Sequence, residues 1–117
     1  MQNNRGVGTI KEEVAAKYLE DNGMSILEKN FRCRYGEIDI IAKDGRYLAF
    51  VEVKFRSNTN KGYPQEAVTK KKQKTIAFVA NYYMMKNHLE TDLPIRFDVV
   101  AILGEEITHI KNAFMAI

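Results

Sequence analysis

"GEIDIIAKDGRYLAFVEVKFR", residues 36–56, holds two segments rich in Ile, Val and Phe on either side of the turn signal KDG. Short apolar runs with β-branched and aromatic residues predict strands, and Asp-Gly between them predicts a tight hairpin. Both predicted strands also carry charge: Glu37 and Asp39 in the first, Glu52 and Lys54 in the second. Asp is disfavoured inside a strand, so Asp39, which stands between two isoleucines, needs an explanation.

Around this hairpin the chain predicts one α/β domain over residues 1–117, in the order α-β-β-β-α-β-β. Apolar residues at helical spacing predict the two helices, and the runs IRFDVVAIL and EITHIKNAF predict the last two strands. The predicted elements are a helix over 7–22, an extended segment over 24–30, the hairpin, a long helix over 64–88, and strands over 95–103 and 106–114.

Composition narrows the class of protein. A length of 117 residues has room for one domain, and a lone cysteine, Cys33, excludes an internal disulfide. The formal charge of +3 permits an anionic partner such as nucleic acid without requiring one. The chain lacks the apolar run of a signal peptide and any run of the roughly 20 apolar residues that span a bilayer. We therefore expect a cytoplasmic protein with no membrane partner.

The hairpin turn sets which side chains lie opposite each other. If Asp44-Gly45 forms a two-residue loop, Asp39 lies opposite Phe50 and Glu37 opposite Glu52. Because alternate residues of a strand share a face, the four charged side chains then point to one side of the sheet. An odd loop or a bulge would instead place the two sets on opposite faces.

In this register Asp39 and Glu52 are diagonal neighbours, roughly 7 to 8 Å apart. Two carboxylates at that separation can bind one cation, and their hard oxygen atoms suit Mg²⁺ or Mn²⁺. Such an ion beside Lys54 is suited to phosphodiester hydrolysis. A ladder of ion pairs on the wet face of an antiparallel sheet is the alternative explanation for the charges, although it leaves Asp39 without a role.

The hairpin closely resembles the signature of the YraN-like family of small bacterial proteins, UPF0102. That family is grouped with the restriction-endonuclease-like PD-(D/E)xK nucleases and is distantly similar to archaeal Holliday junction resolvases. The resemblance covers nearly the whole chain, including the blocks EEVAAKYLEDNG (12–23), GYPQEAVTKKKQKTI (62–76), RFDVVAI (96–102) and HIKNAF (109–114). It implies a restriction-endonuclease-like α/β fold with a central mixed sheet flanked by helices.

Transferred residue by residue, the nuclease motif implies metal ligation by Asp39 and Glu52 and a catalytic lysine at Lys54. Val53 is expected to offer its backbone carbonyl to the metal. The proline that gives the motif its name is absent, because Ile38 precedes Asp39.

Resolvase-like members also use a glutamate of the first helix, and two are available here. At 100° per residue, Glu12 lies about 20° from Leu19 at the margin of the apolar stripe, whereas Glu13 lies on the polar face. We therefore assign the third acid to Glu12 and expect Glu13 to pair with Lys17. An acid near a helix N-terminus, favoured by the helix dipole, is the alternative for Glu12.

Basic residues flank the motif. The run KKKQK offers a phosphate-binding face with Lys70, Lys72 and Lys74, and the resemblance matches Lys72 to the family's basic residue. Arg32, Arg34 and Arg56 are placed to contact the nucleic-acid backbone, although arginine at a strand end is ordinary. A merely solvated helix face explains the lysines equally well. Glu37 and Gln65 are candidates for supporting the site, and an ordinary first-turn position is the alternative for Gln65.

Other polar residues are not assigned to catalysis. Asp98 is expected to support Arg96 or a site lysine. Neither His88 nor His109 has the sequence neighbours of a catalytic histidine.

The leading hypothesis is a metal-dependent endonuclease that hydrolyses DNA phosphodiester bonds, for example in branched or repair intermediates. Mg²⁺ or Mn²⁺ is expected as its cofactor, held by Glu12, Asp39 and Glu52. The second hypothesis is a non-catalytic nucleic-acid-binding accessory protein with the same fold, and the third is a structural scaffold with a salt-bridged sheet. A homodimer would suit a relative that cleaves junctions.

Overall fold

The computed structural model describes residues 4–115, with side chains from residue 6 onward. The elements are α1 (Asn4–Asp21), β1 (Ser25–Cys33), β2 (Gly36–Asp44), β3 (Tyr47–Arg56), a 3₁₀ helix (Pro64–Ala67), α2 (Lys70–Lys86), β4 (Ile95–Leu103) and β5 (Glu106–Phe114). The predicted α/β order is confirmed, as are the bounds of β4 and β5. None of the helices within residues 4–115 has the length and hydropathy needed to cross a membrane.

The five strands form one mixed sheet in the order β1-β2-β3-β4-β5. β3 and β4 are parallel, and the other neighbours are antiparallel. A parallel pair needs a crossover connection, and α2 provides it. The expectation of a central mixed sheet flanked by helices is confirmed.

The helices cover opposite faces of the sheet. Ala15 and Leu19 of α1 pack on Ile40, Val51 and other apolar residues of one face. On the other face Ile76, Val79 and Ala80 of α2 pack in a cluster that contains Phe50 and Phe97. The rings of these two phenylalanines stack with their centroids 5.8 Å apart. The strands most deeply enclosed by this packing, β2, β3 and β4, are also those that carry the buried charges.

The register of the hairpin differs from the prediction. The loop is Gly45-Arg46, because Asp44 pairs with Tyr47 and not with Gly45. The predicted pairing of Asp39 with Phe50 and of Glu37 with Glu52 is therefore wrong, since Phe50 pairs with Ile41. Gly45 has a φ of 59°, which suits the first position of a type II′ loop.

The alternation of faces is also interrupted at Asp39. Ile38 packs on the α2 side of the sheet, yet Ile40 packs on the α1 side. Pairing between β2 and β3 runs from Asp44–Tyr47 to Ile40–Val51 and so stops one residue short of Asp39. On the other flank of β2, Asn30 of β1 has a left-handed φ of 55°. The strands therefore part where Asp39 and Glu52 stand.

The predicted long helix over 64–88 is wrong in its first part. The 3₁₀ helix ends at Ala67, and α2 begins only at Lys70. Thr69 separates the two elements with an extended backbone, and its side chain accepts a hydrogen bond from the Lys72 N–H at 3.2 Å. A threonine N-cap of this kind starts a helix afresh, which places the lysine run in the first turn of α2.

A buried ionic network fixes the start of β4. Asp98, fully buried, accepts hydrogen bonds from Arg96 Nε and Nη2 at 2.9 Å and from the Asn112 N–H at 3.0 Å. His109 Nε2 lies 2.8 Å from the same carboxylate. The proposed support of Arg96 by Asp98 is thus correct. His109, which was judged to lack suitable neighbours, does have a carboxylate partner, because β4 and β5 pair in antiparallel register.

The Asp98→Asn substitution is expected to lower the free energy of unfolding by about 3 kcal/mol, because it removes the charge that balances buried Arg96. Urea denaturation at neutral pH measures the loss. The matched control is Asp21→Asn, which breaks an exposed ion pair with Lys17 and is expected to cost less than about 0.5 kcal/mol. An equal effect of the two substitutions would contradict the assigned importance of the network.

Acid should weaken the same network. Burial alone would raise the pKa of Asp98, but hydrogen bonds from His109, Arg96 and Asn112 lower it below its ordinary value. An acid with a lowered pKa stabilises the fold above its unfolded pKa, near 3.9, and loses that contribution as the pH falls further. The stability difference between wild type and Asp98→Asn should therefore shrink below about pH 4.

Candidate metal and nucleic-acid site

Glu12 lies in the third turn of α1, close to Asp39. Since α1 begins at Asn4, Glu12 is too far from the helix start for the dipole explanation. Its carboxyl is within hydrogen-bonding reach of Asp39 and of the Asn30 side chain. Glu13 is exposed, as predicted, but its expected partner Lys17 pairs instead with Asp21 at 3.2 Å.

Asp39 occupies the fork between β2 and β3. It is 8% exposed, and its Oδ2 accepts a hydrogen bond from the Val53 backbone N–H at 2.8 Å. Because β2 and β3 no longer pair at this point, the carboxylate satisfies a backbone N–H that would otherwise lack a partner across the sheet. Val53 thus contacts Asp39 through its backbone N–H. The role of the Val53 carbonyl as a metal ligand stays a prediction.

Glu52 approaches the fork from the α2 side. It is 4% exposed and within hydrogen-bonding reach of Asp39. Its Oε2 lies 3.4 Å from the Lys72 ammonium but accepts no hydrogen bond from residues 4–115. Lys54, half-buried two residues along β3, adds a second positive charge near this carboxylate. Glu52 therefore has nearby cations but an unsatisfied oxygen.

Burial and the neighbouring Asp39 carboxyl make both glutamates weak acids, because each raises their pKa values. Burial, followed by the interaction with Asp39, raises the pKa of Glu52 to about 8 despite the opposing effect of Lys72 and Lys54. Burial, followed by the charge of Asp39, raises the pKa of Glu12 to about 7. Three carboxyl groups held this close favour bound protons or bound cations over free anions.

The carboxylates only partly fit a metal ion. Buried oxygens without a hydrogen-bond partner, Glu12 Oε1 and Glu52 Oε2, are what a hard cation would satisfy. However, among residues 4–115 no three His, Cys, Asp or Glu side chains stand ready to hold a metal together. Glu12 and Glu52 reach Asp39 from opposite sides of the sheet. The donor chemistry therefore fits Mg²⁺ or Mn²⁺, and a shared ligand set would require side-chain movement.

Glu37 belongs to a separate cleft on the α1 side. Its carboxylate pairs with Arg32 Nε at 2.9 Å. The two residues line a cleft of about 440 Å³ together with Glu12 and Asn30. Glu52 faces α2, so the expectation that all four charged residues of the hairpin share one face is wrong. The interrupted alternation at Asp39 is the reason, and it has the effect that the register argument assigned to a bulge.

The predicted basic residues separate into three groups. Arg32 lies beside Glu12, and Lys72 beside Glu52. Arg56 lines a cleft after β3, and its buried Nε lacks a hydrogen-bond partner within residues 4–115. Arg34, Lys70 and Lys74 are exposed. Among the ion pairs described in the structure, Lys72 pairs with the predicted metal ligand Glu52, and Arg32 pairs with the candidate supporting residue Glu37.

The 3₁₀ helix presents the remaining candidate. Gln65 is exposed there, while the neighbouring Glu66 side chain accepts a hydrogen bond from the Tyr63 N–H. Glu66 thus caps the start of the 3₁₀ helix, which is an ordinary structural role for a first-turn acid. Whether Gln65 supports the site stays a prediction.

One polar neighbour of the site was missed from the sequence. Asn30 binds Glu12 through its side chain, and it adopts the left-handed φ that asparagine tolerates better than most residues. An asparagine near the end of a predicted strand was an available signal for that conformation.

The fold and site define an α/β protein with a cluster of buried carboxyl groups where two central strands part. The chain belongs to UPF0102: its residues 11–102 match the model of "Uncharacterised protein family UPF0102". It is 53% identical over 114 residues to a UPF0102 protein of Lachnoclostridium phytofermentans, with 97% of each chain covered. It is also 53% identical over 114 residues to a UPF0102 protein of Clostridioides difficile, which covers 96% of this chain and 99% of the relative. A UPF0102 protein of Legionella pneumophila is 43% identical over 111 residues, which cover 93% of this chain and 94% of the relative. The family predicted from the hairpin is confirmed.

In the absence of metal, Glu52→Gln should change how stability depends on pH. A carboxyl whose folded pKa is raised stabilises the fold below its unfolded pKa, near 4.5, and loses that contribution as the pH rises towards its folded pKa of about 8. The variant should therefore gain stability relative to wild type between about pH 5 and pH 8. Urea denaturation in EDTA across this range measures the gain.

Glu37→Gln is the control for this prediction, because Glu37 is a more exposed, ion-paired acid of the same hairpin. Its stability relative to wild type should vary little over the same pH range. A flat difference for Glu52→Gln would show that its carboxyl is not strained by burial.

Proposed function

We propose that this protein is a metal-dependent nuclease of the restriction-endonuclease-like class, acting on DNA phosphodiester bonds. The observation that carries the proposal is the buried pair Asp39 and Glu52, held beside two lysines with an oxygen unsatisfied. A structural scaffold gains nothing from this costly arrangement, because like charges in a sheet destabilise it. The PD-(D/E)xK motif to which the hairpin is similar places its acids and lysine at the same positions.

Each residue of the cluster has a distinct role in this proposal. Asp39 and Glu52 would hold Mg²⁺ or Mn²⁺, with Glu12 and the Val53 carbonyl as further ligands. When bound, the cation polarises the phosphate and lowers the pKa of its water. Lys54 orients the attacking water or balances the charge that develops on the phosphate. The hydrogen bond from the Val53 N–H keeps the Asp39 carboxylate aimed into the fork.

Lys72 has a different role from Lys54 in this proposal, because it is ion-paired with Glu52. Its ammonium is 3.4 Å from Glu52 Oε2 and balances part of the negative charge of the metal-free site. When a phosphodiester enters, Lys72 can turn from the carboxylate, whose charge a bound cation would then balance, to the phosphate. The adjoining lysines at the start of α2 extend this positive surface and suit the DNA backbone.

A non-catalytic DNA-binding protein is the second candidate. It is favoured by one observation: the described acids do not form a ready three-ligand set, and Lys72 already stands at Glu52. In that case the lysine would take the place of the metal, and the basic surface would bind DNA without cleaving it. Metal binding and turnover separate the two candidates.

Asp39→Asn and Glu52→Gln should each abolish Mn²⁺ binding measured by isothermal titration calorimetry, because each removes a charged ligand from the buried pair. The control is Glu13→Gln, an exposed acid one residue from Glu12, which should bind Mn²⁺ like wild type. Unchanged affinity in both site variants would eliminate the metal site.

Lys54→Ala should reduce DNA cleavage by roughly 100-fold or more, since it removes the charge that assists the reaction. Single-stranded, duplex, flap and four-way-junction DNA are incubated with Mn²⁺ and purified protein, and the products are separated by electrophoresis. Lys43→Ala, which alters a similarly half-buried strand lysine at the far end of the hairpin, should retain activity. Equal cleavage by wild type and Lys54→Ala would indicate a contaminating nuclease.

A further inference from the structure

An aromatic patch lies exposed on the α2 side of the molecule. It consists of Tyr35, in the turn between β1 and β2, and of Phe78 and Tyr82 on the solvent side of α2. Phe78 is 62% exposed and Tyr35 47% exposed. Phe78 and Tyr82 are four residues apart, so they project from the same side of the helix. None of the three residues has a role in the proposed nuclease site.

The rings of the patch are held in a fixed arrangement. Tyr35 and Phe78 stack with centroids 6.2 Å apart and an interplanar angle of 23°, and Tyr82 meets Tyr35 edge-on at 6.3 Å. The glycine at position 36 permits this contact. A Cβ there would stand 2.9 Å from Thr75 Cγ2, and the φ of 147° is one that other residues rarely adopt. The turn can therefore sit close against α2, and the patch is ordered before any partner binds.

Positive charge surrounds the patch. The Arg34 guanidinium lies 5.1 Å from the Tyr35 ring and donates a hydrogen bond to its hydroxyl at 3.2 Å. α2 itself carries five lysines and no acidic residue. A second copy of the chain docked symmetrically on this face would bring these lysines together and would be repelled. A partner with negative charge and flat apolar groups suits the patch instead.

A cleft adjoins the patch on the other side of Phe78. Its volume is about 500 Å³, and Ala77, Met84 and Phe97 form apolar walls with Phe78. Lys74 and Asn81 add polar groups to the same lining. The Asn81 amide can both donate and accept hydrogen bonds, as the edge of a nucleobase requires. The apolar walls suit a base, and the amide and the ammonium suit its polar edge and a phosphate.

We propose that the aromatic patch binds an unpaired DNA segment, with bases stacked on Tyr35 and Phe78 and phosphates contacted by Arg34 and Lys74. Only unpaired bases expose the faces that stacking on aromatic side chains requires. Lys72, which contacts Glu52, precedes Phe78 by six residues, or roughly 9 Å along the helix. Resting on the proposed nuclease function, this inference makes the substrate a DNA with a single-stranded segment next to the cleaved bond, such as a flap or overhang.

Binding is tested in EDTA, where cleavage does not intervene. The probe is a labelled single strand of about 12 nucleotides that contains 2-aminopurine, compared with a blunt duplex of the same sequence. Wild type should bind the single strand more tightly, and stacking should quench the 2-aminopurine fluorescence. Phe78→Leu, which keeps apolar bulk without a ring, should weaken binding roughly tenfold, whereas Phe78→Tyr should preserve it.

Tyr47→Ala is the matched control. Tyr47 is also an exposed tyrosine, 45% accessible, with an arginine guanidinium 5.5 Å from its ring, but it lies at the turn between β2 and β3. Its removal should leave binding unchanged. An equal loss in Tyr47→Ala and Phe78→Leu would overturn the proposal, as would tighter binding of RNA of the same sequence. A dimer in sedimentation equilibrium that Phe78→Leu dissociates would instead assign the patch to self-association.

The two proposals fail in different ways. Binding that depends on Phe78 without cleavage in Mn²⁺ would refute the nuclease and leave standing only the binding of unpaired DNA by the patch. Cleavage that depends on Lys54, combined with binding that ignores Phe78, would refute this inference alone.

Discussion

The hydrogen bond from the Val53 N–H to Asp39 is the contact on which the site depends. It lies where β2 and β3 stop pairing, so a side-chain carboxylate takes over from the backbone and holds the two strands together. Because the bond orients Asp39 in a nearly closed space, Glu12 and Glu52 can meet it from the two faces of the sheet. On a regular pleated surface Asp39 and Glu52 would share one face of the sheet, and Glu12 would lie on the other.

Two sets of charged groups lie within or beside the apolar core, and they differ in how their charge is balanced. Three carboxyl groups gather in a region that also holds much of the apolar packing, and the raised pKa values of Glu12 and Glu52 record the resulting strain. On the adjacent strand β4, Asp98 pairs with Val51 and is fully buried but satisfied by Arg96 and His109. The charge of Asp98 is thus balanced by fixed partners. In the cluster around Asp39, by contrast, buried oxygens of Glu12 and Glu52 have no hydrogen-bond partner within residues 4–115 and suit an incoming cation.

Much of the fold could be predicted because its elements are locally encoded. The apolar runs of β4 and β5 and the turn glycine between them gave the strand bounds without error. The helix after Pro64 was less predictable, because Thr69 competes as an N-cap and restarts the helix. For the site, the hairpin charges and the choice of Glu12 over Glu13 followed from sequence periodicity and resemblance. Asn30 and the Asp98–His109 contact did not, since each contact joins residues on different elements of the fold.

The sequence by itself determined the family, the order of the elements and the presence of acids in strands that ought to be apolar. These properties depend on local periodicity and on motif residues, both of which are written along the chain. Only the tertiary structure decided which acids meet. A break in alternation at Asp39 put Glu37 and Glu52 on opposite faces of the sheet, and the packing of α1 brought Glu12 to the fork. Such placements depend on how strands pair and bulge, because a single added residue reverses every side chain beyond it.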